Sequence, residues 1–197
     1  LFPYSPLFRS FIIVPGFLRQ ETREALNTDF PDITKPGSYP VSEVRYGATF
    51  QALLDEIQGP EFTSVVAEKF GIDLTRRPTM VTVRGRCQQK DGRIHTDTET
   101  KIITLLIYMN QGWENEGGQL RVLRSADDLN DMIAEVPPEW GTALAFRRAE
   151  NSYHGHKPFV GERRSIQLNW VTEASVVEHE LARHRMSARL KQFNPFA

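Results

Sequence analysis

The spacing of apolar and polar positions changes once along the chain, near residue 79, and the change divides it in two. Before that point apolar residues recur with a helical period. Phe17-Leu18 with Glu21, Glu24, Ala25 and Leu26 predict a helix with an acidic first turn, stopped by Asn27-Thr28-Asp29 and Pro31. Further helices are predicted from about Ala48 to Ile57 and from Pro60-Glu61 onward, the latter with Phe62, Val65, Val66 and Phe70 as its buried stripe and Gly71 as its cap. A β-branched run from Ser10 to Val14, ended by Pro15-Gly16, reads as a strand ahead of them. Residues 32–46, rich in Pro, Gly and Ser, read as a loop with a little strand near Val41 to Val44.

From Thr79 the pattern is that of short strands: Met80 to Arg84, Ile102 to Met109, Gln119 to Leu123, Thr142 to Phe146, part of Tyr153 to Phe159, and Arg164 to Val171. Ser125 to Asp131 reads as one capped helical turn between them. The tail, Glu173 to Phe193, returns to helix, with Glu173, Glu178 and Glu180 early and Arg183, Arg185, Arg189 and Lys191 late, a polarity that suits the macrodipole. Its apolar stripe is Ala182, Met186, Leu190 and Phe193, a face for packing on its own domain or for a dimer contact. Helices followed by serial strands predict an α+β chain, mainly β, whose strands form a sandwich or barrel. The 197 residues fit one domain, with a helical part over 1–78, a β core over 79–172 and a terminal helix over 173–193.

Composition removes several function classes. With 24 Lys and Arg against 25 Asp and Glu, the chain lacks the basic footprint that tracks a phosphate backbone, so nucleic acid is not expected as a partner. No window approaches the roughly 20 apolar residues that span a bilayer, and the first residues lack the charged start of a signal peptide. A single cysteine, Cys87, allows no internal disulfide and suits a reducing compartment, so a cytoplasmic location is expected.

The last strand is the first to suggest chemistry. Arg163, Ser165, Gln167 and Asn169 alternate with Arg164, Ile166, Leu168 and Trp170, giving a polar face opposite a mostly apolar one. A polar face inside a barrel is costly unless it binds something, and an Arg beside a Ser is suited to grip a carboxylate. Upstream, His95 and Asp97 stand two apart, so on a strand both aim at one point while Thr96 turns away. Alone, that pair reads better as a hydrogen-bonded pair in a core. With a second imidazole from His154 or His156 it becomes two nitrogens and a carboxylate, a facial triad that suits Fe(II) and leaves positions open for further ligands. Arg84 and Arg86, also two apart, share a strand face that is either solvated at a barrel mouth or placed to meet an anionic or strongly polar substrate.

The run His95-Thr96-Asp97, Ile107-Tyr108-Met109-Asn110, Trp113, Gly117-Gly118-Gln119-Leu120-Arg121, Gly141 to Phe146, His154 with Pro158, and Arg163-x-Ser165 resembles the Fe(II)/2-oxoglutarate-dependent oxygenases, most closely their prolyl 4-hydroxylase-like branch. The resemblance covers about residues 80 to 171. It implies a double-stranded β-helix, or jelly roll, with flanking helices on one sheet. It implies that His95, Asp97 and His154 hold Fe(II), His154 being preferred over His156 because Pro158 and Arg163 follow it at the family's spacing. It further implies that Arg163 pairs with the distal carboxylate of 2-oxoglutarate, that Ser165 or Tyr108 hydrogen-bonds it, and that O2 is the oxidant. That branch often has a Tyr on the strand where this chain reads Thr82-Val83-Arg84-Gly85-Arg86-Cys87, so the substrate is open.

The expectation is therefore a dioxygenase that hydroxylates a C–H bond with release of succinate and CO2, acting on a small molecule or a peptide, as a monomer or homodimer. The alternatives are a peptidyl prolyl 4-hydroxylase specifically and, in another class, a non-catalytic jelly-roll or cupin-like binding protein. Ser38 to Arg45 and Gln111 to Gly118 are the candidate mobile loops over a substrate.

Overall fold

The computed structural model describes residues 11–193, with side chains described through Arg183 and again at Met186. Ser10, the side chains of Leu190 and Phe193 in the expected tail stripe, and those of the late basic residues Arg185, Arg189 and Lys191 lie outside the described residues.

Strand β1 (Phe11–Val14) is followed by a 3-10 turn (Gln20–Thr22) and helix α1 (Arg23–Asp29), then β2 (Tyr39–Pro40) and helices α2 (Ala48–Gln58) and α3 (Pro60–Phe70). Helix α1 starts later than its apolar spacing suggested and runs through the residues expected to stop it. Asp29 at its end serves another helix: Thr49 N donates to Asp29 Oδ2 at 2.6 Å, capping α2, whose own N-cap residue Gly47 has no side chain to offer. A Cβ at Gly47 would collide with the Asp29 carboxylate, so the cap requires glycine there. Gly71 ends α3 in the left-handed conformation, as expected. In α3 the buried residues are Val66 and Phe70, whereas Val65 is 52% exposed, because the stripe facing the sheet is narrower than its apolar content.

The β core comprises β3 (Thr79–Cys87), β4 (Lys101–Tyr108), β5 (Leu120–Leu123), β6 (Met132–Val136), β7 (Ala143–Arg147), β8 (His154–Gly155) and β9 (Gly161–Val171). These form a six-stranded sheet, in the order β1-β7-β4-β9-β3-β2, and a three-stranded sheet, β6-β5-β8. Every pairing between strands is antiparallel, and together they make the double-stranded β-helix. Strand β6 was not anticipated, and the helical turn expected over Ser125 to Asp131 is instead the connection of the β5–β6 hairpin. Its polar residues close turns, with Asn130 N donating to Asp128 Oδ1 at 2.8 Å, rather than starting a helix.

Alternation on the large sheet sorts its residues between two environments. Ile103, Leu105 and Ile107 of β4 and Ile166, Leu168 and Trp170 of β9 point to the helices, where they join Phe50, Leu54, Ile57 and Phe70 in the main core. Burial of side chains of this size contributes roughly 1.5–3 kcal/mol each. The opposite face looks between the two sheets. There a smaller cluster of Tyr108, Leu120, Val122, Val136, Leu144 and Phe146 fills one part, and polar side chains of β9, β3 and β4 line the rest. The terminal helix α4 (Ala174–Phe193) packs on β2, β3 and β9.

Candidate active site

The polar inner face surrounds a cavity of about 270 Å³. At one end, His95, Asp97 and His154 offer ligand atoms all within 4.8 Å of one another, the one such cluster of three His, Cys, Asp or Glu among the described residues. His154 opens β8, while His95 belongs to no strand and joins β8 through a single antiparallel bridge. His95 N donates to His154 O at 3.0 Å and His154 N to His95 O at 2.9 Å. Asp97 follows in irregular chain rather than on the strand the spacing suggested, yet its carboxylate still reaches the imidazoles.

The tautomers follow from the backbone. His95 Nδ1 lies 2.9 Å from Arg93 O, and His154 Nδ1 2.9 Å from Ser152 O. A carbonyl oxygen only accepts, so Nδ1 carries the proton in both and each Nε2 keeps its lone pair for a ligand. The rings stand 4.3 Å apart, and Phe146 packs on His154 at 4.8 Å. Burial, with His95 nearby, pushes the His154 pKa down to about 4, against the pull of Asp97, so the ring is neutral and ligand-competent at ordinary pH.

Asp97 is held from both sides. Burial by itself would raise its pKa, but the Lys101 ammonium at 2.7 Å from Oδ1 leads the opposing effects and the net shift is downward. Thr104 donates to Oδ2 at 2.5 Å. Thr104 in turn accepts from Asn169 Nδ2 at 2.7 Å, and Asn169 Oδ1 accepts from Gln167 Nε2 at 3.0 Å. This relay from β9 through β4 to the carboxylate depends on the pairing of Thr104 with Asn169 across the sheet. Local sequence carried no signal for Lys101 or Thr104, whereas Gln167 and Asn169 were already placed on the polar face.

The other end of the cavity holds a buried cation. Arg163, only 5% exposed, donates from Nε to Gly118 O at 2.8 Å and from Nη2 to Tyr108 Oη at 3.4 Å, with its guanidinium 5.1 Å from the centre of the Tyr108 ring. Among the described residues no carboxylate pairs with it. Tyr108 therefore stands behind Arg163 and orients it, and is not among the residues lining the cavity, whereas Ser165 is. Burial raises the Tyr108 pKa, with Arg163 opposing. Gly118, at φ +85°, lets its carbonyl meet Arg163 because a Cβ there would come 2.6 Å from the Trp113 ring. His156 also lines the cavity, its pKa lowered to about 4 by burial and then by Arg163.

Arg84 lines the cavity, but Arg86 does not. A bulge shifts the register between them, and Arg86 is exposed. Arg84 is neutralised within the protein, pairing with Asp91 at 2.8 Å and donating to Ser38 Oγ at 3.2 Å. Arg164 points away from the cavity, over the Phe30 ring and toward Glu162.

Residues 84–172 match the family model of the 2OG-Fe(II) oxygenase superfamily. Solved structures with the same fold include a prolyl-4-hydroxylase from Pseudomonas putida, with 18% identity and TM-score 0.55 over 83% of this chain and 93% of that one. Another is the viral collagen prolyl hydroxylase of Paramecium Bursaria Chlorella virus-1, as a 2OG complex, with 14% identity and TM-score 0.54 over 82% and 96%. A third is HygX from Streptomyces hygroscopicus with nickel and 2-oxoglutarate bound, with 13% identity and TM-score 0.55 over 83% of each chain. A comparison with curated proteins finds no match. No helix among the described residues is long and apolar enough to cross a membrane.

Proposed function

We propose, from a β core whose residues 84–172 match the family model of the 2OG-Fe(II) oxygenase superfamily, that the protein is a hydroxylase in which His95, Asp97 and His154 hold Fe(II) and Arg163 with Ser165 holds the distal carboxylate of 2-oxoglutarate. The observation that carries this reading is Arg163. A buried guanidinium without an acidic partner is strongly unfavourable unless an anion completes it, and this one lines the same cavity as an open two-histidine, one-carboxylate donor set. The donors suit ferrous iron: two imidazoles, each with Nδ1 held by a backbone carbonyl, and one carboxylate, with room left at the metal for a chelating 2-oxo acid.

Bound there, iron with 2-oxoglutarate and O2 supplies the oxidation, one oxygen atom entering a substrate C–H bond and the other entering succinate as CO2 leaves. The residues of the chain set the geometry. Tyr108 and the Gly118 carbonyl fix the Arg163 fork, Ser165 adds a hydroxyl beside it, and the Nδ1 bonds of His95 and His154 aim both Nε2 atoms at one point. Thr104 and Lys101 keep the Asp97 carboxylate ionised and oriented. We take the protein to act as a single catalytic domain in a reducing, cytoplasmic compartment, where ferrous iron persists.

The test is direct. Adding 2-oxoglutarate anaerobically to the Fe(II) protein should produce a weak visible absorption band, and Arg163→Met should need far more 2-oxoglutarate to reach it. No band at saturating 2-oxoglutarate, or a variant that titrates like the wild type, contradicts the assignment. Hydroxylation of a prolyl residue in a peptide is the second reading, supported by the names of the solved relatives, and peptide-dependent succinate release would establish it.

A further inference from the structure

The cavity continues beyond the proposed iron and 2-oxoglutarate positions to a wall made by α4. Glu180 and Arg183, one turn apart on that helix, line the cavity together with the metal-ligand cluster. They are ion-paired with each other, and the Glu180 side chain is 17% exposed against 60% for Arg183. The carboxylate is thus the inward member, and the guanidinium stands at the rim. A second ion pair, Arg84 with Asp91, lines the same cavity from β3 and the loop after it. Apolar lining is confined to Met80, Leu106 and Leu120.

Walls built from ion pairs select by charge. A ligand that carried neither sign would leave these groups no better solvated and would gain little, whereas one carrying both could exchange partners with each pair. Arg183 is already largely in water, and Asp91 keeps the Gln88 N–H at 3.0 Å. Size points the same way. About 270 Å³ lies just below the range of roughly 300–1,000 Å³ usual for small-molecule sites, and 2-oxoglutarate must share it.

We propose that the primary substrate is a small zwitterion of amino-acid size, its ammonium group held by Glu180 and its carboxylate by Arg84, an inference that rests on the oxygenase reading above. The proposal is tested on full-length protein loaded with Mn(II) and 2-oxoglutarate, first confirmed by calorimetry to bind 2-oxoglutarate. Free amino acids, their N-acetyl derivatives, and proline-containing peptides of about ten residues are titrated in turn, and the Fe(II) protein is assayed for succinate with the same panel. At least one free amino acid should bind and stimulate succinate release, with N-acetylation weakening binding by about 10-fold or more. Glu180→Gln should weaken the same ligand by a similar factor and abolish the preference for the free amine over its N-acetyl form. Binding of peptides but of no free zwitterion, equal binding of free and acetylated amines, or an unchanged preference in Glu180→Gln would each overturn the proposal. Because the wild-type panel alone decides between classes, a poorly folded variant does not rescue it. A protein that binds 2-oxoglutarate but none of the zwitterions refutes this inference alone, whereas one that binds no 2-oxoglutarate refutes the oxygenase reading beneath it.

Discussion

Strand β9 has two faces that differ more than any two strands of the sheet. Outward, Ile166, Leu168 and Trp170 are fully buried and belong to the main apolar core beneath the helices. Inward, Arg163, Ser165, Gln167 and Asn169 line the cavity or brace the groups that do. Both faces are shielded from bulk water, but the outer one is almost wholly hydrocarbon, with the Trp170 Nε1 left without a hydrogen-bond partner. The outer face stabilises the fold by burying hydrocarbon, while the inner one carries a cation that ordinary packing would not tolerate. The difference separates what holds this protein together from what it is for.

That contrast can be broken by substitution, and the largest effect should come from its inner end. Arg163→Met should lower 2-oxoglutarate affinity by the equivalent of about 2–5 kcal/mol, as expected for truncating one side of a buried charge-assisted pair. Its unfolding free energy in the absence of ligand should hold steady or rise, since the desolvated cation is gone. Denaturant titration beside calorimetry checks both, and a loss of stability would mean the two faces are not distinct. On the outer face, Leu168→Ala should cost about 2–5 kcal/mol of stability while changing 2-oxoglutarate affinity by less than about threefold.

The next effect is on pH. His154 and His156 have folded pKa values of about 4, against 6.5 for the free ring. Between those values the unfolded chain binds more protons than the folded one, so stability rises with pH across the window and is lost on acidification. Chelator-treated protein unfolded by urea at pH 7, 5.5 and 4.5 should show this decline, worth up to about 3 kcal/mol per histidine. Asp97, lowered as well, adds a loss in the same direction at still lower pH. A flat profile would place the histidines in a wetter setting than the inner face described here. The smallest effect belongs to the relay: Thr104→Val, which keeps the shape and removes the hydroxyl, should weaken Mn(II) or Fe(II) binding by about 10-fold.

Much of this was readable from the chain, for reasons that differ by residue. The two faces of β9 follow from strict alternation, which survives in a central strand buried on both sides. His95, Asp97, His154 and Arg163 were readable because their identities and spacing are chemically unusual together. Strand β6 was missed because Met132 is exposed and Glu135 pairs with Arg121 through its side chain, so no apolar period marks it. The partners of Asp97 could not be read locally, since Thr104 meets Asn169 only through cross-strand register. The position of Glu180 inside the cavity depends on how α4 docks, which its own sequence does not encode.

The bridge between His95 and His154 has a kinetic side. The two reciprocal backbone bonds of this bridge, with His156 N donating to Gly92 O at 2.9 Å beside them, join the segment before Asp97 to the small sheet, so this seam is a short zipper and a natural place for the β core to breathe. An ion held by both imidazoles would act as a clasp across it. The amide protons of His95 and His154 should then exchange with solvent readily in the stripped protein and slow sharply once metal is added, so that the same seam that lets iron enter becomes, when loaded, the last part of the small sheet to open.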